Sequence, residues 1–204
     1  MNVSSPVIIM NNNKHSTYHR LLVAAAECFA EKGFNATSVS DIARRAAVSQ
    51  GSMYTYFSSK SELITAIVNE EKNTSVDKYV QAYDCSAFER VCQLVKSCIN
   101  EVGYPVDHRL WVEIIAEASR NEEIRESFIS SDIIMRDGIK HIIQKGIEDG
   151  EFSADVNHEE ASIVLFALID GLISRKAINP QFELERDMPG FVPLLRNILR
   201  KPTP

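Results

Sequence analysis

Strand-like alternation is missing from this 204-residue chain. No run of Val, Ile or Thr alternates with polar residues between turn signals; apolar residues recur at three-to-four spacing, the period of a helix. Long apolar runs are missing too. The densest stretch, 161–173, carries Asp170 and falls short of the roughly 18–20 residues that a membrane span requires. No signal peptide is expected, because the apolar patch at 7–10 is brief and no basic residue precedes it. The four cysteines, at 28, 85, 92 and 98, form no CxxC pair, which argues against a zinc knuckle or a thioredoxin-type site. They read as small, half-buried thiols in a reducing cytosol. His108 and His141 stand apart in sequence from other ligand types, so neither a metal site nor a cofactor is expected. HExxH, GxGxxG, Walker and GxSxG motifs are absent, as is any credible triad spacing. The chain is therefore not expected to be an enzyme. Apolar residues make up 45%, enough to build a core without staples.

The charges are unevenly placed. Net charge is −6, yet residues 1–60 hold six basic and three acidic residues, a net of +3. The remaining 16 basic and 25 acidic residues give the rest of the chain −9. A basic head on an acidic body is the pattern expected when only the head meets phosphate.

The fold class is all-α. Helices are expected over 16–32, 39–46, 50–56, 60–83, 87–102, 108–120, 122–149, 158–177 and 190–200, about nine in all. Gly33 and Gly150 read as left-handed stops. Ser38 with Asp41, Ser59 with Glu62, and Asn157 with Glu160 read as capping boxes. The expected organisation is a loose tail over 1–13, a head over 14–60 and a helical body over 61–204. Helix four crosses the boundary between head and body.

The informative stretch is 37–60, TSVSDIARRAAVSQGSMYTYFSSK. Two short helices joined by a three-residue turn have helix-turn-helix geometry. Ile42, Ala43, Ala46, Val48, Met53 and Phe57 supply a small core, leaving Gln50, Gly51, Ser52, Tyr54, Thr55 and Tyr56 to face outward. Amide and hydroxyl groups there suit base edges and phosphates in a major groove, and Gly51 allows close backbone approach. Ser38, Ser49 and Ser59 mark helix N-termini with free N–H groups for phosphate, and Lys60 adds a cation.

These segments resemble the tetracycline-repressor (TetR) family of transcriptional regulators. The likeness rests on Phe29-Ala30-Glu31-Lys32-Gly33-Phe34, Thr37-Ser38-Val39-Ser40-Asp41-Ile42-Ala43, Val48-Ser49-Gln50-Gly51-Ser52-Met53-Tyr54-Thr55-Tyr56-Phe57 and Ser59-Lys60-Ser61-Glu62-Leu63. It covers about residues 15–64. Ala47 stands where the family usually has glycine. The resemblance implies a homodimer of nine or ten helices per subunit, with three helices binding DNA and the remainder binding a small effector and dimerising. It also implies DNA contacts at Ser38, Gln50, Ser52, Tyr54, Tyr56 and Lys60. Arg109-Leu110-Trp111-Val112-Glu113 and Ile169-Asp170-Gly171-Leu172 are more loosely similar to the family's effector domains.

The body adds its own expectations. Helix 158–177 is apolar almost all round and needs partners on two faces. A second subunit would cover Leu165, Leu168 and Leu172, helped by Gly171, with Leu194, Leu195, Ile198 and Leu199 of the last helix in the same seam. Trp111, Ile115, Phe128 and Phe166 on inward faces, with Glu117 at an edge, are the candidate effector contacts. The expected protein is a cytoplasmic homodimeric repressor on a palindromic operator, released by a small molecule of unknown identity. A ligand-responsive activator, or a helical protein-binding adaptor, would be built from the same features.

Overall fold

The computed structural model describes residues 6–80, 84–100, 102 and 105–199, without the side chains of 6–16 and 74–80. Among them are ten helices: α1 Pro6–Lys32, α2 Val39–Arg45, α3 Gln50–Tyr54, α4 Lys60–Val80, α5 Ala87–Asn100, α6 His108–Ala118, α7 Glu122–Glu148, α8 His158–Ile178, α9 Leu184–Asp187 and α10 Phe191–Leu199. The expected reach of α4 to residue 83, the stop at Gly103 and the helical Arg200 fall outside the described residues.

Local signals set most boundaries. Ser38 and Asp41 form a reciprocal box: the Asp41 N–H donates to Ser38 Oγ at 3.1 Å, and the Ser38 N–H donates to Asp41 Oδ2 at 3.1 Å. Asn157 accepts from the N–H groups of Glu159 and Glu160, opening α8. Gly33 (φ 78°) and Gly150 (φ 73°) end α1 and α7 in the left-handed region. The box expected at α4 is displaced by one residue. Ser59 Oγ caps the Glu62 N–H at 3.0 Å, but the Glu62 carboxylate accepts from the N–H and hydroxyl of Ser58.

Two elements differ from expectation. α1 starts at Pro6, so residues 6–13 of the expected loose tail are helical. Proline suits a first helical position, and extending an existing helix adds a bond for each residue fixed. α9 is a single turn between Pro180 and Pro189, too short to show a period.

α2 and α3 close on a core of Ile42, Ala43, Ala46, Met53 and Phe57, with Val48 half-buried. α1 joins them through Leu21, Leu22, Ala25 and Phe29, all buried. α1 also packs on α4 and α6, tying the head to the body. α4 lies along α7 over the most extensive helix contact, and α8 packs on α5, α6 and α7.

α8 is apolar on both faces, but the faces divide differently from the sequence reading. Leu165 and Leu172 are buried within the chain, as are Leu195 and Leu199 on α10. They cannot form a surface seam, because their own subunit already covers them. The apolar surface left open on α8 is Ile163, Val164, Ala167, Gly171 and, at its end, Ile178, with Leu168 half-buried. On α10, Leu194 is open and Ile198 half-buried.

Ala47 has φ 52° in the turn between α2 and α3, the conformation glycine favours. A residue with a Cβ bears roughly 1–2 kcal/mol there. Ala47→Gly should therefore raise stability by about 0.5–1 kcal/mol after glycine's greater unfolded-state entropy is subtracted. Urea unfolding checks this; a lowered midpoint contradicts it.

Candidate functional site

The Ser49 hydroxyl starts α3 by accepting the Ser52 N–H at 3.0 Å. A helix this short is held by packing, and Met53 supplies the anchor at 0% exposure. The α-helical period then turns Gln50, Gly51, Tyr54 and Thr55 to solvent. Ser52 is half-buried, and Tyr56 leans against the core. Tyr54 is 56% exposed, unusual for a tyrosine beside so small a core. The Gln50 amide donates to Ser40 Oγ on α2, fixing the side chain across the two helices. Thr55 Oγ1 donates to the Gly51 carbonyl at 3.1 Å. Ser38 and Ser49 spend their hydroxyls as caps. The outward surface of α3 is thus polar, uncharged and aromatic.

Among the described residues, Arg20, Lys32, Arg45 and Lys60 are engaged within the head. Arg20 donates to the carbonyls of Ala46 and Ala47, closing the α2–α3 turn. Lys32 pairs with Asp41 at 3.2 Å, and Arg45 with Glu27 and Glu31. Hydrogen bonds from Ser38, with Lys32 beside it, hold the Asp41 carboxyl well below the usual carboxylate range. Arg44 also meets Asp41, yet its side chain remains 75% exposed.

Lys60 departs from expectation. Its ammonium turns inward, donating to the carbonyls of Phe34 at 2.6 Å and Thr37 at 2.8 Å. It lies 4.5 Å from the centre of the Phe34 ring. Burial lowers its pKa, against the pull of Glu117. The reason is local: the 33–38 loop leaves carbonyls without helical partners, and buried carbonyls require donors.

α6 meets the same loop from the body. Glu113 accepts the Phe34 N–H, and Glu117 accepts from Asn35 Nδ2 at 3.5 Å while pairing with Arg120. Glu117 is 4% exposed and faces the head, so it is not grouped with the expected pocket residues. Charge pattern alone does not reveal these seam residues, because their partners, a backbone N–H and a side-chain amide, are uncharged and lie 79 and 82 positions away in sequence.

Of the five expected effector contacts, the structure brings Trp111 and Phe128 together, their rings 5.6 Å apart. Trp111 and Phe166 are buried; Phe128 and Ile115 are half-buried against the core. Trp111 Nε1 donates to Asp170 Oδ1 at 3.0 Å, giving the α8 carboxylate the partner its setting demands. Burial pushes the Asp170 carboxyl up, the Trp111 bond opposes this, and nearby Asp132 adds to the rise. A cleft of about 320 Å³ opens beside the first turn of α6, lined by Asp107, His108, Arg109, Lys176, Ala177 and Pro180. It contains none of the five.

The chain matches known proteins in both parts. Residues 21–67 match the family model described as bacterial regulatory proteins, tetR family, and residues 89–187 match BetI-type transcriptional repressor, C-terminal. The chain is 28% identical over 166 residues to the HTH-type transcriptional regulator UidR of Escherichia coli K12, covering 81% of this chain and 84% of that protein. It is 26% identical to the HTH-type transcriptional regulator TtgR of Pseudomonas putida, covering 80% and 81%. The solved structure of Salmonella enterica GusR superposes with a TM-score of 0.74 at 28% identity, over 90% of this chain and 93% of that one. Bacillus subtilis FadR, solved in complex with stearoyl-CoA, shares the fold with a TM-score of 0.74 at 23% identity, over 89% and 98%.

The inward turn of Lys60 can be tested. A phosphate contact contributes about 0.9 to the slope of log affinity against log salt. Lys60→Ala should leave that slope unchanged and lower stability by about 1.5–3 kcal/mol, the range for hydrogen bonds to charged groups. A slope reduced by one or two units, with unchanged stability, would return Lys60 to the phosphate-contacting set.

Proposed function

The chain belongs to the TetR family of bacterial transcriptional regulators, and from that premise we propose that it is a homodimeric repressor which a small-molecule effector releases from a palindromic operator. DNA binding and response to a ligand are the family's business; the dimer, the operator symmetry, the sign of regulation and the contact residues are the proposal. The observation that carries it is the outward face of α3, where an exposed tyrosine, an amide and a glycine stand on a well-anchored helix. Gln50, Ser52 and Tyr54 are the groups proposed to read base edges. Gly51, Thr55 and Tyr56 are assigned to backbone approach and phosphate. Ser38 and Ser49 keep their helix N-termini in register for phosphate contact. Base recognition on this reading relies on the polar uncharged groups of α3, with Arg44 left 75% exposed beside them.

The dimer is inferred from the open apolar face of α8. Ile163 and Val164 are 54% and 48% exposed, and Leu194 is 39% exposed on α10. A row of this kind, continued by Ala167, Leu168, Gly171 and Ile198, suits a second copy. An added Cβ on Gly171 would meet nothing within 4 Å in its own chain, which leaves room for a partner helix. Two heads joined through α8 would enter successive major grooves, about 34–36 Å apart. Effector binding around Trp111, Ile115, Phe128 and Phe166 would favour a state with another spacing, in proportion to its differential affinity for the two states. Among the described residues no helix is long and apolar enough to cross a membrane. The cytoplasm, where the chromosome lies, is the proposed compartment.

Selection of DNA from a random pool tests the operator: a two-fold symmetric consensus is expected, and enrichment of no sequence would sink the reading. Gln50→Ala should then relax preference at one base pair per half-site by about 1–3 kcal/mol. Equal losses on operator and random DNA would contradict base reading by Gln50. Val164→Glu should yield helical monomers in sedimentation, since a charge at a closed apolar seam costs several kcal/mol, on the order of a broken buried pair. A Val164→Glu dimer at micromolar concentration would place the interface elsewhere.

A further inference from the structure

A polar side-chain pair joins the two short helices of the head. Ser40 is the second residue of α2 and half-buried; Gln50 is the first residue of α3 and exposed. The Gln50 amide nitrogen donates to Ser40 Oγ. The residues around this pair are occupied otherwise. Ser38 and Asp41 bond each other, and the Asp41 carboxylate also meets Lys32 and Arg44. On α3, the Ser49 hydroxyl is a cap, and the Thr55 hydroxyl donates to its own helix. Among the described residues, Gln50 is thus the one outward side chain of α3 that α2 holds by a hydrogen bond. The bond decides what the amide shows to solvent. A glutamine amide donates at one end and accepts at the other. With the nitrogen committed to Ser40, the oxygen Oε1 and one N–H remain. That set matches the N6 amino group and N7 of adenine. Turned over, with Oε1 accepting from the Ser40 hydroxyl, the same side chain would offer only donors and would suit N7 and O6 of guanine.

We propose that Ser40, although it is not on the reading helix, is a positioning residue that sets base specificity: its hydroxyl holds the Gln50 amide with the oxygen outward, so that a base pair is selected by its amino group rather than its keto group. This rests on the base-reading role proposed above for Gln50 and assigns the direction of that reading to α2. Every base pair presents one amino group in the major groove, N6 of adenine or N4 of cytosine, and one keto oxygen, O4 of thymine or O6 of guanine. The two orientations of the amide therefore read different halves of the same pair. A free, exposed glutamine samples both and loses rotamer freedom when it docks. A held one is pre-organised for one of them. Alanine in place of Ser40 leaves α2 intact, because alanine favours a helix and the Ser38–Asp41 box is untouched. It removes only the hold on the amide.

The test uses the full-length protein and the DNA sequence it selects from a random pool. Gln50→Ala identifies the base pair that Gln50 reads. At that pair Ser40→Ala should reduce discrimination about two- to tenfold, the share of one neutral hydrogen bond, and leave the other positions unchanged. Adding Ser40→Ala to Gln50→Ala should change nothing further at that pair. Ser40→Thr, which keeps a hydroxyl, should keep the preference. Base analogues that lack the amino group at that pair should weaken binding of the unaltered protein by a similar factor, and analogues that lack the keto oxygen should not. A loss spread equally over all positions in Ser40→Ala would make Ser40 a plain contact to the DNA backbone. A penalty for the missing keto oxygen in place of the missing amino group would mean that the amide is held the other way. Either result overturns the inference. So does an unchanged preference in Ser40→Ala where Gln50→Ala relaxes one pair, and base reading by Gln50 then stands. If Gln50→Ala relaxes no position, base reading by Gln50 falls and takes this inference with it.

Discussion

A lysine ammonium closed onto two loop carbonyls is the contact on which the placement of the head depends. The chain between α1 and α2 must turn within six residues and leaves main-chain groups that no helix satisfies. Lys60 supplies donors to the carbonyls of Phe34 and Thr37, and Glu113 supplies an acceptor to the Phe34 N–H. The Thr37 hydroxyl completes the set by donating to the carbonyls of Cys28 and Gly33. With the loop satisfied on both sides, the Ser38–Asp41 box starts α2 in a fixed direction, and the turn at Ala47, held by Arg20, sets α3. The outward surface of α3 follows from this series of local constraints.

Charge in the head is thus largely a means of assembly. Arg20, Lys32, Arg45 and Lys60 each bind groups of the chain itself. Arg20 and Lys60 bind main-chain carbonyls, whereas the Lys32 and Arg45 contacts are exposed ion pairs, individually weak at about 0–1 kcal/mol, whose value here is geometric. Asp41 ties the α2 cap to Lys32 and Arg44 together. Its carboxyl is held below its ordinary pKa, so the box is charged and closed above the unfolded carboxylate range. It opens only as pH falls through the lowered value.

Much of this was legible in the residues, and the division between legible and hidden is physical. Caps, left-handed stops and the three-to-four period are local signals, so the Ser38 and Asn157 caps, the Gly150 stop and the core of Ile42, Met53 and Phe57 could be read directly. The partner covering an apolar or charged face is a tertiary fact. The stripe holding Leu194, Leu195, Ile198 and Leu199 announces burial but not which subunit supplies it, and Leu195 and Leu199 prove to face their own chain. Lys60 beside a helix start reads as a phosphate ligand until the loop's unpaired carbonyls come into view. Glu117 reads as a pocket edge until Asn35 is brought to it from across the sequence. Trp111 and Phe128 are legible as inward aromatics, and only the fold joins them to each other and Trp111 to Asp170.

The central claim is that the α1–α2 loop, gripped by Lys60, Glu113 and Glu117, holds head and body in one orientation in the DNA-free protein. Residual dipolar couplings of backbone amides test it most directly. Couplings from residues 38–57 and from residues 108–178 should fit a single alignment tensor together. Two distinct tensors, or a markedly smaller magnitude for the head, would mean that the loop is a hinge rather than a clamp, and would contradict the account.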